Sequence, residues 1–401
     1  MRLSIRKINI FIFGLYNMLY TLYMTELVSR NIYIFSLGMF IGILILEDLG
    51  GVLKKRKFIF KKEFKLIITI AVLFYFISLV TQLLNGEITL YLYEELLYFI
   101  LPILIAFSSV NFNKKEDIKL YFYIIFIKLL AYFIIKSWGN FSMQAILNIN
   151  LSDSNSSVFE MVIAHDFLFM IIIFIFLENL KAATLSFIAC FLCFKRLPFL
   201  LSIIVWGGGI LEYFFRKIGI FKIKLRRVLM EKISTRTRII TFLIFILISI
   251  FIMWIYTSEG NTWFINKFGI SLDKVTSGRS TIINYALENY KFNGLGSSDY
   301  CFKVDTYKEY SLIGNMHCDV IKLSKEITII GYLIYLYILN LFSSRSKILY
   351  FMFIYLFLEM VVSHQVDNLN IWIMYYLFAA YIYILKKDDR RKNERIRKRK
   401  N

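Results

Sequence analysis

Apolar runs long enough to cross a bilayer recur along this chain from one end to the other. A membrane helix needs about 20 apolar residues, and a soluble core has no use for so many separated runs. The sequence predicts about twelve spans, at 8–24, 32–46, 66–84, 96–110, 120–135, 161–177, 182–194, 197–215, 239–256, 327–342, 348–362 and 371–385. The expected fold is an all-α polytopic membrane protein, with residues 1–401 forming a single integral membrane domain. Lys195-Arg196-Leu197-Pro198 interrupts one continuous apolar stretch. A single helix there would overrun the bilayer, so two short helices meeting at Pro198 are expected. The first run, Ile8 to Met24, follows Arg2, Arg6 and Lys7 and has no small-residue cleavage site after it. It is therefore expected to remain as the first span.

The net charge of +20 in a chain that is 58% hydrophobic invites a nucleic-acid reading. The placement of the charge argues against one. Basic residues cluster between apolar runs: Lys54 to Lys65, Arg216 to Arg238, Arg345 with Lys347, and a tail at 386–401. That is the pattern of cytoplasmic loops under the positive-inside rule. These loops set topology and meet anionic headgroups. Both termini are then cytoplasmic, and the long polar segment at 257–326 faces the exterior. Arg196 and the short loop holding His364 and Asp367 fall on the same side.

Several ionisable groups lie where lipid is expected: Lys128, His165, Asp166 and Glu359. Charge at such depth is costly unless it is paired or faces a cavity. Two readings follow, a polar cavity open to the exterior or internal pairs such as Lys128 with Asp166. The four cysteines show no metal-ligand spacing with histidine. Cys190 and Cys193 read as small packing residues on a span. Cys301 and Cys318 both lie in the 257–326 segment, where oxidation is permitted, but spacing alone does not bring two Cβ atoms together.

The chemistry concentrates between Ser277 and Gly331. Ser277-Gly278-Arg279-Ser280-Thr281 precedes a helical stripe of Ile282, Ile283, Ala286, Leu287 and Tyr290. Ser277 or Ser280 is the expected N-cap, and Asn293-Gly294-Leu295-Gly296 is a turn that ends the helix. Open N–H groups, the positive end of the helix dipole and the Arg279 guanidinium together suit a phosphate. The alternative is a surface helix with a solvated arginine. His317 stands near the start of a second helix, with Glu326 further along it. Histidine moves protons near neutral pH, although a lone histidine is more often structural.

The pattern G-R-x-x-x-I-x-x-A-L-x-x-Y-x-x-x-G-L-G, followed by a His, an acidic residue and a Gly leading into the next span, resembles the Wzy-type O-antigen polymerase and O-antigen ligase superfamily. It covers roughly a seventh of the chain, and the hydropathy layout is similar over the remainder. What the resemblance implies is a GT-C-like helical bundle on the outer face of the bacterial plasma membrane. Its donor would be a polyprenyl-diphosphate-linked oligosaccharide, used without metal, nucleotide or other cofactor. The polymerase branch moves the growing glycan onto the next lipid-linked repeat unit. The ligase branch moves the finished glycan onto a lipid A core. A chain-length regulator protein is a candidate partner.

On this resemblance Arg279 and Arg196 would hold the diphosphate, beside Lys195. His317 would take the proton of the attacking hydroxyl or orient the diphosphate, and Glu326 would orient His317. Gly294 and Gly296 would shape the loop where backbone and sugar approach. His165, His364 and Asp367 would face the same cavity. The chain departs from the family in having Phe194-Lys195 before Arg196, where Ser-Arg is common, and Cys318 after His317, where a small polar residue is usual. A flippase of lipid-linked sugars is the competing class. It would call for internal repeats and broken midplane helices, whereas this chain has two prolines and one dominant polar loop.

Overall fold

The computed structural model describes residues 5–54, 57–86, 91–147, 159, 163–218, 225–276, 279–289, 293–300, 317–363, 365–366 and 368–400. Every regular element among the described residues is a helix. All the apolar runs read from the sequence are helical, but they differ in length. Among the described residues, seven helices are long and apolar enough to cross a membrane: Asn31–Leu53, Lys61–Leu84, Leu92–Phe112, Lys115–Ser137, Arg196–Lys217, Thr235–Ile255 and Leu369–Asp389. Ala164–Phe176, Leu180–Cys193 and Thr328–Ser343 are apolar but shorter. A 13-residue helix such as Ala164–Phe176 rises only about 20 Å, against a hydrocarbon layer of about 30 Å. The protein is a polytopic membrane protein, with seven spans supported by length and composition against the twelve expected.

Two boundaries moved. The helix Leu180–Cys193 ends at Phe194, which adopts a left-handed conformation at φ 40° and ψ 58°. Its N–H closes onto Cys190 and Phe191 carbonyls. The next helix, Arg196–Lys217, has Pro198 as its third residue, where a missing N–H costs nothing. The break is therefore at Phe194-Lys195, ahead of the proline. The basic tail at 386–400 is helical, because the last helix continues unbroken from Leu369 to Lys400.

The chain divides into two compact units. The first comprises residues 1–61, 104–228 and 370–401. In it Ile5–Met24 packs against Arg30–Leu53 and Lys115–Ser137, and Ala164–Phe176 packs against Leu180–Cys193 and Arg196–Lys217. Almost every side chain of Ala164–Phe176 is buried. Gly209 permits its close helix contact, since a Cβ there would sit 2.3 Å from Ile175 Cδ1. Lys128 is buried in this unit, donates to Asn370 Oδ1 and lies 4.7 Å from the centroid of the Tyr20 ring.

The second unit comprises residues 62–103 and 229–369. Here Thr235–Ile255, Thr328–Ser343 and Lys347–Val362 pack on one another. Phe245 stacks on Phe357 at 3.9 Å, and Ser249 shares a hydrogen bond with Tyr332 at 2.8 Å. The short helix Asp319–Glu326 leads to Thr328–Ser343 through Ile327, with Thr328 at φ 65°.

Candidate functional site

The residues singled out by sequence fall into both units. His165, Lys195 and Arg196 belong to the first. The helix that starts at Ala164 puts His165 in its first turn, fully buried, and Lys195 Nζ lies 2.9 Å from His165 Nε2. Arg196, the first residue of its helix, is exposed. His364 and Asp367 lie outside the described residues, as do Ser277, Tyr290 and Cys301.

Arg279, Gly294, Gly296, His317 and Glu326 belong to the second unit. Arg279 opens the helix Arg279–Asn289, as the stripe predicted. Ser280, Ile283 and Ala286 are buried along it. Its N-terminus is already occupied, however. Ser280 N–H donates to Thr276 Oγ1 at 3.1 Å, and Thr281 N–H donates to Asp273 Oδ1 at 3.0 Å. The same carboxylate oxygen accepts from Ser280 Oγ at 3.0 Å and Thr281 Oγ1 at 2.8 Å. Two of the N–H groups expected to form an open anion site are thus taken by Thr276 and Asp273; Ser280 donates its hydroxyl instead of capping, and Ser277 lies outside the described residues. What remains for a phosphate is the half-buried Arg279 side chain, which donates from Nη1 to the Val362 carbonyl at 3.1 Å.

These bonds hold Asp273 below the usual carboxylate range. The Thr281 side chain is the largest cause, followed by the Thr281 backbone, against a small opposing effect of burial. A depressed folded-state value means that Asp273 contributes stability above its unfolded pKa of about 3.9. That contribution is lost as pH falls through the lower folded value. Hydrogen exchange across 279–289 is expected to stay protected down to about pH 4 and to weaken below it. Asp273→Ala is expected to lower protection at neutral pH by no more than about fivefold, the size of an exposed cap. Equal protection in both proteins at neutral pH would remove the capping role.

The glycine turn faces protein. Gly294 and Gly296 have φ of 88° and 80°, a conformation that glycine adopts without penalty. A Cβ on Gly294 would lie 2.7 Å from Ser78 Cα and 2.6 Å from Ser78 Cβ. Leu295 N–H donates to Ser78 Oγ at 3.0 Å, and Gln82 Nε2 donates to the Leu295 carbonyl at 3.2 Å. The close approach that needs the glycine is to the helix Lys61–Leu84, where the sequence reading expected a sugar.

Asp319–Glu326 is the hub of this unit. Asp319, Lys322 and Glu326 are all buried, and their spacing of three and four residues sets them on one helical face. Asp319 Oδ2 accepts from Gln365 N–H at 2.5 Å and Val366 N–H at 2.8 Å, while Asp319 N–H donates to Ser363 O. Lys322 Nζ pairs with Glu95 Oε1 at 2.5 Å, both side chains being 1% exposed. Glu326 Oε1 accepts from Ser298 N–H at 3.0 Å and Ser298 Oγ at 2.6 Å. Sequence reading assigned Glu326 to His317; these bonds tie it to the chain just after the glycine turn. His317 is half-buried, two residues ahead of the helix.

Cys318 between them is buried, and burial pushes its thiol up to about 12. At neutral pH it is a protonated packing group and a poor nucleophile. Cys190 and Cys193 are buried too. Asp319, Lys322, Glu95, Ser298, Ser78 and Asp273 were missed from sequence. Only the one-face spacing of Asp319, Lys322 and Glu326 gave a local signal. Among the described residues, no three His, Cys, Asp or Glu side chains group as a metal ion would need. The chain matches no family model, no curated protein and no solved structure.

Proposed function

We propose that this chain is a glycosyltransferase of the bacterial plasma membrane that polymerises a surface polysaccharide. It moves the growing glycan from a polyprenyl diphosphate onto a lipid-linked repeat unit on the outer face. In this reading there are twelve crossings, both termini are cytoplasmic, the 257–326 segment is exterior, and a chain-length regulator is a protein partner. The supporting observation is the convergence of dispersed motif positions in the second unit. Arg279 bonds to Val362, Asp319 to the chain at 363–366, and Glu326 to Ser298 beside Gly294 and Gly296. Hydrogen bonds thus tie the motif residues Arg279 and Glu326 and the helix Asp319–Glu326 to the chain at 298 and 362–366.

In the reaction, the acceptor hydroxyl oxygen forms the new bond to the anomeric carbon. The bond from that carbon to the diphosphate oxygen breaks, and polyprenyl diphosphate leaves with the electron pair. Arg279 supplies fixed positive charge to that leaving group, the kind of electrostatic help that is largest in a site shielded from water. His317 receives the hydroxyl proton.

The test is a strain lacking the gene, with surface glycan resolved by size. A single repeat unit in place of the ladder is the expected result. Finished polymer held on polyprenyl lipid would make the protein a ligase, repeat units trapped inside the cell would make it a flippase, and an unchanged ladder would sink every one of these readings.

A further inference from the structure

We propose that residues 251–270 form a membrane-interface anchor, seated in the headgroup and upper acyl region of the leaflet at which the helix Thr235–Ile255 ends. That helix is an apolar span, and much of its surface is exposed, including Leu243, Leu247, Phe251 and Trp254. In a polytopic membrane protein this exposed apolar face meets lipid. The face does not stop where the helix does. After Tyr256 the chain turns into the helix Ser258–Phe268, capped by Thr257 Oγ1 on the Gly260 N–H at 3.2 Å. Gly260 makes the turn tight: a Cβ would lie 2.2 Å from the Trp254 carbonyl oxygen and 2.6 Å from Ile255 Cα. The second helix is thereby held directly on the end of the first.

An aromatic cluster crosses the junction. Trp254 and Trp263 rings lie 5.3 Å apart, Phe251 and Trp263 6.2 Å, and Trp263 and Phe268 6.1 Å. Trp263 is 40% exposed and Phe268 56%. Ile265 and Ile270 are exposed beside them, while Glu259, Asn266 and Lys267 supply polar groups on the same short helix. Tryptophan gathers at membrane interfaces because its apolar rings and indole N–H suit the boundary between tails and headgroups. A short helix of this composition lies in the interface plane. Lipid is the favoured occupant because the patch is continuous with the lipid-facing surface of a span and carries two tryptophans at its end. The inference stands on the fold alone and does not rest on the proposed activity.

Tryptophan emission of the full chain in nanodiscs tests it, comparing wild type with Trp263→Phe to isolate the Trp263 signal. Bromine placed high on the lipid acyl chains is expected to quench that signal at least twofold more than bromine near the chain ends. Aqueous iodide is expected to quench it little. Phe268→Trp gives an independent reading, with added emission that should follow the same pattern. Strong quenching by iodide without quenching by lipid would overturn the proposal. So would quenching by neither, which would mean that a second copy of the chain covers the patch.

Discussion

Replacing Lys322 by methionine is expected to destabilise the protein by about 3–5 kcal/mol, the usual effect of stranding a buried partner charge. The Glu95 carboxylate would remain in a site where both side chains are 1% exposed, without its ammonium. A net folding stability of about 5–15 kcal/mol leaves little after such a loss. In detergent-solubilised protein the melting temperature should fall by roughly 10 °C. Glu95→Met combined with Lys322→Met should recover most of it, because apolar groups of similar size often replace a buried pair without cost. The helix Asp319–Glu326 would then still be held by Asp319 and Glu326. An unchanged melting temperature for Lys322→Met would mean that the pair does not organise this unit.

Arg279→Ala is the second large effect, and it is expected on activity. The side chain donates to the Val362 carbonyl at 3.1 Å, on a half-buried surface. Its loss should cost stability by only about 1 kcal/mol. If Arg279 holds the leaving diphosphate, transfer should slow by roughly 100-fold or more, as when one fixed donor to a developing charge is removed. Arg279→Lys keeps the charge but loses the planar fork, so it should retain more activity than Arg279→Ala. Normal folding with lost transfer separates this role from a structural one.

How far these features were legible in the sequence depends on the range of the interaction that makes them. The apolar runs read correctly as helices because burial in lipid or protein leaves a signal within each run. Length separates them: among the described residues seven are long enough to cross a bilayer alone, whereas Ala164–Phe176 and Leu180–Cys193 are apolar but shorter. Pro198 drew the break to itself, although a proline in a first turn is tolerated. The break is set by Phe194 in a left-handed conformation. At Arg279 the helix was legible and its cap was not. A local motif looks one to three residues away, whereas Asp273 comes from a preceding short helix, Leu272–Thr276. Glu95 and Lys322 stand 227 residues apart, and nothing local in either segment names the other. Gly294 was read correctly as a turn glycine, but its neighbour, Ser78, came from a distant helix.

The central claim is that the chain itself transfers glycan from a polyprenyl diphosphate. Its most direct measurement is the length of lipid-linked product made by purified protein in liposomes supplied with a polyprenyl-diphosphate-linked repeat unit. Wild type is expected to produce a ladder of longer lipid-linked chains and to release polyprenyl diphosphate in step, with Arg279→Ala inserted normally and making almost none. No elongation by correctly inserted wild type, given the cognate repeat unit, or a full ladder from Arg279→Ala, would contradict the account.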